Sequence, residues 1–420
     1  MLGRCPSAGL ATPARPPAAS YLCAQTIVDF YNLKGIKGSS AVKTSPAEFQ
    51  GDSCYNKKDL DEMAKANGLA VWPISVLNGP CTGANPDAEA SLDEQYMGAI
   101  GYGNNQTYWT DADWMYDWAQ TLMATPDALL PNVFSISWGW SEADQCQIDK
   151  KGPCAGGKNS SGFVAATNAL FAAVTARGVS FLVSSGDSGA HGRTDGGCAK
   201  PKTLPDWPTA SPWVTAVGAT QVADGTSTGP FNTPYCSAPP AGLPACATGG
   251  TEVTCSTATG ALIVSGGGFS NVAPTPAWQS AAVATFLAAG GKLPPAGDFN
   301  NTGRGYPDVS ALGHNYIIWL GGQPMQVDGT SCSAPVWGAI VGLVNAARLA
   351  AGKAVVGFAN PAIYQIAAAN PAVFHDITKG DNSCTEQGCN GGKCTGFGAV
   401  AGACLAVVVA AFARARVRAL

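Results

Sequence analysis

An α/β architecture, with a central parallel β-sheet flanked by helices, follows from three features of the sequence. Short apolar runs rich in β-branched and aromatic residues, VFSISW (133–138), VSFLVSS (179–185) and WVTAVGA (213–219), read as buried strands. Helical patterns stand between and around them, at 59–66, 88–100 and 162–177. Strands alternating with helices build parallel sheets, whose functional loops gather at the carboxyl ends of the strands. The third feature is bulk: 420 residues, 46% hydrophobic, with 52 glycines, suffice for one large core.

Along the chain, residues 1–20 are Ala/Pro-rich and read as disordered or as a misassigned start. Residues 21–402 form the globular body, and 403–420 are an atypical apolar and basic tail. Residues 77–88 are rich in turn formers, and 221–262, rich in Thr, Gly, Pro and Cys, read as an insertion or an antiparallel excursion. MQVDGTS then leads into SAPVWGAIVGLVNAARLAAG, a small-residue helix able to approach the sheet closely. The apolar run at 397–413 is short for a membrane span and reads as a core helix, so no span is expected.

Composition narrows the chemistry. A net charge of −4 provides no basic footprint for nucleic acid. Charged residues are 12%, about half the usual share, which suits an acidic compartment. Fifteen cysteines, several in local clusters (146 and 154; 236, 246 and 255; 384, 389 and 394), point to disulfides in an oxidising compartment. Zinc is disfavoured because the chain has three histidines and neither a CxxC nor an HxxxH pattern. Sequons at Asn105, Asn159 and Asn300 fit that compartment, although the N-terminus lacks the apolar core of a signal peptide.

Gly329-Thr330-Ser331 stands between an apolar strand and a helix. A serine there feels the positive end of the helix dipole, and nearby backbone N–H groups can bind an oxyanion. A serine nucleophile needs a base. The three histidines, His191, His314 and His375, lie in no His-Gly-Thr motif and are each read as structural or surface residues. The base is therefore sought among carboxylates. Glu89 and Asp93, four residues apart, share one helix face and can share a proton. Two carboxyls this close do not both ionise readily, so the pair can act as general base and acid at acidic pH. Asp187, in SSGDSG after a buried strand, is placed to donate a hydrogen bond to an oxyanion when protonated.

Taken in order, Glu89…Leu92-Asp93-Glu94-Gln95, SISWG (135–139), SSGDSG (184–189), SPWVTAVGAT (211–220), GGGFSN (266–271), GRGYPDVSALG (303–313), DGTSCSAP (328–335), GFANPAIY (357–364) and HDITKGDN (375–382) resemble the sedolisin, or serine-carboxyl peptidase, family. That family includes tripeptidyl peptidases. The resemblance implies a subtilisin-like fold and acid-active hydrolysis of peptide bonds through an acyl-enzyme, by a tripeptidyl peptidase or an endopeptidase. It implies Ser331 as nucleophile, Glu89 as base, Asp93 as its partner and Asp187 as oxyanion acid. Ser137, Trp138 and Gly139 would line the substrate cleft through backbone groups. It also implies a monomer acting on peptides or proteins, outside the cell or in a lysosomal or vacuolar compartment. Such enzymes often tie the loop after SSGDSG to the C-terminal region, so Cys198 is expected to pair with one cysteine of the 384–394 cluster. The resemblance further implies a calcium site beginning with Asp376 and the Ile377 carbonyl. Where a Trp-Asp would supply its next carboxylate, this chain has Ala403 and Cys404, which leaves that site incomplete. Position 328 is Asp where a small residue is more usual. Two alternatives stand beside this reading: a catalytically impaired or truncated relative, and a His-dependent subtilase.

Overall fold

The computed structural model describes residues 24–49, 53–223, 251–398 and the pair 405–406. At its centre is a ten-stranded sheet. Its path runs His375–Asp376, Leu405–Ala406, Val309–Leu312, Thr215–Ala223, Ser180–Ser184, Val133–Ile136, Lys43–Glu48, Asn105–Thr110 and Ser75–Asn78. Seven consecutive pairings along this path are parallel. Antiparallel partners occur at its margin, where His375–Asp376 pairs with Leu405–Ala406 and Thr251–Thr254 pairs with Thr215–Ala223. The three strands read from apolar runs are all here, and they are central because nothing but a two-sided core would bury them. The antiparallel excursion expected after residue 221 is present in its described part, Thr251–Thr254.

Helices cover both faces. On one side Trp118 meets Phe134 and Phe171 edge-to-face, Phe181 packs tilted against Trp118 and Phe134, and Trp207 stacks on Phe171. On the other side the helices Ala88–Ile100 and Thr330–Ala350 lie against each other and the sheet. Small residues make this contact possible. A Cβ on Gly338 would fall 2.8 Å from the Met97 methyl, and one on Gly342 would fall 2.6 Å from the Asn104 amide nitrogen. Among the described residues, Thr330–Ala350 is also the one helix long and apolar enough to cross a membrane, and it is mostly buried.

Several details differ from the sequence reading. The strands Lys43–Glu48 and Asn105–Thr110 carry too many polar residues to read as apolar runs, yet they are buried. Ser75–Asn78, partly within the turn-rich stretch, is an exposed edge strand. The strand before Ser331, Gln323–Val327, belongs to a separate hairpin with Tyr316–Leu320 and not to the sheet. Leu405–Ala406 is a strand, so the core helix expected over 397–413 does not form there. Residues 1–20, 403–404 and 407–420 lie outside the described residues.

Cys198 pairs with Cys394, the kind of link expected for that loop, and Cys146–Cys154, Cys384–Cys389 and Cys54–Cys81 are also bonded. Among the described cysteines, Cys255 and Cys332 are free and buried.

Candidate active site

Strand ends and two helix starts meet at one place. The Ala88–Ile100 helix is capped by Asp87, whose Oδ1 accepts from Ala90 N at 2.8 Å. Its Oδ2 accepts from Ser53 Oγ at 2.5 Å and Cys54 N at 3.1 Å, and the Cys54–Cys81 disulfide braces that loop. This fixes the first turn, and with it Glu89. The Thr330–Ala350 helix is held to the sheet by Trp337 Nε1 on Ser310 O (3.1 Å) and Ser333 Oγ on Ala311 O (2.9 Å). Its turn closes through Gly329 N on Gly313 O (3.0 Å) and Cys332 N on Gly329 O (3.1 Å). Ser331 is thereby held in its first turn with 8% exposure.

Glu89 faces Ser331. Burial pushes its carboxyl up to about 7, and the hydroxyls of Ser331 and Ser137 oppose that by favouring the charged form. Its Oε1 is enclosed without a hydrogen-bond partner. Asp93, one turn further on, is fully buried. Ser137 Oγ donates to its carboxyl, 2.7 Å from Oδ2 and 2.9 Å from Oδ1. Burial, then the charges of Glu48 and Glu89, hold the Asp93 carboxyl well above its ordinary range.

Asp187 follows the strand Ser180–Ser184 and reaches the start of the other helix. Its Oδ1 accepts from Thr330 N and Thr330 Oγ1, both at 2.8 Å, while Thr330 Oγ1 accepts from Gly186 N at 3.1 Å. Burial raises its pKa, and the Thr330 bonds work against that.

Glu48 was not foreseen. It ends the strand Lys43–Glu48 and is completely buried. Its Oε2 accepts from Trp138 Nε1 at 2.8 Å and Ser53 Oγ at 3.4 Å. Burial and then the charge of Glu89 push its carboxyl well up. The one signal for it along the chain is a carboxylate closing a strand, at the end where such folds carry function. Ser137, Trp138 and Gly139 follow the strand Val133–Ile136 and are partly exposed, as a cleft wall requires. The side chains of Ser137 and Trp138, however, turn toward the carboxyls.

None of the histidines approaches Ser331 as a base would. His191 is locked between Asp195 Oδ2 (Nδ1, 2.9 Å) and Thr395 N (Nε2, 3.2 Å). His314 pairs with Asp328, and His375, 57% exposed, lies 3.5 Å from Glu252. Asp376 is exposed on its short strand and Ile377 is buried. Among the described residues no group of three or more His, Cys, Asp or Glu could hold a metal ion. One carboxylate and one carbonyl do not meet the six to eight oxygens that calcium takes, so the described residues do not fit that ion.

Residues 96–356 match the Subtilase family. The chain belongs to that family. It is similar to physarolisin of Physarum polycephalum, 46% identical over 345 residues, covering 82% of this chain and 59% of physarolisin. Tripeptidyl-peptidase 1 of Rattus norvegicus is 33% identical over 388 residues, covering 88% of this chain and 59% of that protein. The chain thus spans less than two thirds of the curated relatives it matches. The structure of Pseudomonas sedolisin, a serine-carboxyl proteinase complexed with two molecules of pseudo-iodotyrostatin, superposes with a TM-score of 0.66 at 22% identity, over 94% of this chain and 97% of that one. The subtilisin-like fold read from the sequence is therefore the fold of this subtilase.

Proposed function

We propose that this subtilase hydrolyses peptide bonds in acid as a serine-carboxyl peptidase. Ser331 Oγ attacks the scissile carbonyl carbon, and its proton passes to Glu89, which shares a proton with Asp93. Protonated Asp187 donates to the oxygen that becomes negative. Glu89 then returns the proton to the leaving amine, and water releases the acyl group from Ser331 by the same steps.

The observation that carries this reading is the pairing of a helix-start serine with a buried carboxyl, while each of the three histidines is paired with a different Asp or Glu. Similarity to tripeptidyl-peptidase 1 and to physarolisin supports peptides or proteins as substrates. Four disulfides among the described residues support an oxidising setting, outside the cell or in a lysosome-like compartment. Calcium is proposed to bind weakly or not at all, since Cys404 stands where a carboxylate would be needed.

The test is peptide turnover by the purified chain from acid to neutral pH. Ser331→Ala should abolish turnover and Glu89→Gln nearly so, while activity of the unsubstituted chain falls toward neutrality. Full activity of Glu89→Gln would sink the assignment of the base.

A further inference from the structure

Asp328 occupies the corner where the hairpin strand Gln323–Val327 turns into the Thr330–Ala350 helix. Its side chain is completely enclosed. Oδ2 accepts from His314 Nδ1 at 2.6 Å and from Leu262 N at 2.8 Å, and Oδ1 accepts from Asn315 N at 2.8 Å. Burial alone would raise this carboxyl, but the hydrogen bond and charge of His314, with the two amides, hold it below its ordinary value. A fixed carboxylate thus sits three residues before Ser331.

Its field reaches the nucleophile's surroundings. Burial is what chiefly raises the thiol of Cys332, the residue after Ser331. Among the charges that add to it, Asp328 acts most, ahead of Glu89 and Asp187. An uncompensated anion here opposes the chemistry, because attack by a serine creates a second negative charge on the carbonyl oxygen. Of the partners that Asp328 accepts from, His314 alone can bring a full positive charge. The other titratable groups facing the pair are the thiols of Cys255 and Cys332, both kept neutral by burial, and Asp187 across the Gly329 turn. His314 Nε2 is buried without a protein hydrogen-bond partner, so the ring's polar contact among the described residues is the one from Nδ1 to Asp328.

We propose that His314 is a positioning residue for catalysis: ion-paired to Asp328, it cancels the negative charge ahead of Ser331 and so permits the tetrahedral oxyanion to form. The proposal rests on the reading of Ser331 as nucleophile. With both ring nitrogens protonated the pair is neutral, and with Nδ1–H alone it is net negative.

The test is kcat and KM for His314→Gln, Asp328→Asn and the double variant, beside Ser331→Ala and Glu89→Gln, with melting temperatures for each. Glutamine can still donate to Asp328 but brings no charge. His314→Gln should lower kcat about tenfold with KM little changed, the size expected of one uncompensated charge acting across several ångström of protein. The double variant should recover most of that loss, because no charge then needs cancelling. A His314→Gln enzyme of full activity, or a double variant no better than it at equal melting temperature, overturns the proposal and leaves the peptidase reading intact. Loss in His314→Gln without recovery in the double variant, together with an active Glu89→Gln, makes His314 a base and overturns both. Should His314→Gln fail to fold, Asp328→Asn decides the matter, since asparagine removes the charge and keeps one oxygen to accept from Leu262 N or Asn315 N. It should keep kcat near the parent's at an equal melting temperature, and a loss as large as that expected of His314→Gln overturns the proposal.

Discussion

Two sets of buried carboxyls lie beside the same sheet and are treated in opposite ways. Asp308 is fully enclosed and fully matched. Its Oδ2 meets the guanidinium of Arg304, itself inaccessible, and Ala216 N at 2.8 Å, while its Oδ1 accepts from Tyr364 OH at 2.8 Å. Gln279 and Asn360 complete the shell. Around Ser331, by contrast, Glu48, Glu89 and Asp93 have no cationic partner among the described residues and rely on hydroxyls and one indole. A buried acid paired with a guanidinium ties the chain together. Unpaired buried acids are pushed toward their protonated forms instead, and a held proton is what the proposed acid activity requires.

This contrast is open to direct challenge. Asp308→Asn leaves Arg304 buried without its counter-charge, so the fold should lose about 3–5 kcal/mol in denaturant unfolding. An unchanged unfolding midpoint would remove the distinction between the two sets. Asp187→Ala should reverse the pattern, lowering kcat by about two to three powers of ten, as loss of an oxyanion donor does, while the melting temperature stays near the parent's.

A third prediction concerns pH and stability. Burial raises Glu89 to about 7, Glu94 to about 8, and Glu142 and Asp206 to about 7. Groups with raised folded-state pKa values contribute stability that is complete below their unfolded values, about 4 for carboxyls, and lost as pH climbs through the folded ones. The melting temperature should therefore be highest in acid and fall between roughly pH 5 and 8. Glu94 sharpens the point because both its oxygens are buried and the groups that oppose its raised pKa are two neutral ones, the Gln106 amide and the Trp72 indole. Glu94→Gln should raise the melting temperature near pH 8 by a few degrees and leave it unchanged in acid. Equal effects at both pH values would mean that shape, not ionisation, governs the site.

The smallest effect is expected from calcium. The unsubstituted chain should show little change in melting temperature when calcium is added, whereas Ala403→Trp with Cys404→Asp should gain up to about 2.7 kcal/mol at a hundredfold excess over Kd. No gain in that variant would show that the C-terminal correspondence is misdrawn.

Much of this was legible along the chain, because some information is local. The strands at 133–136, 180–184 and 215–223 announce themselves by apolar runs, and Ala88–Ile100 by its helical pattern after a turn-rich stretch. That pattern puts Glu89 and Asp93 on one face, and GTSCSAP marks a serine at a helix start. Glu48 and Ser53 carried no comparable signal, since their strand and loop are polar in sequence and buried only because other elements cover them. The same holds for His314 and Asp328, fourteen residues apart and joined only because a hairpin folds back between them. Residue types and order were determined by the sequence alone. Which acids keep their protons was decided by the tertiary structure, because a pKa depends on the water excluded and the charges brought near, and neither exists until the chain has folded.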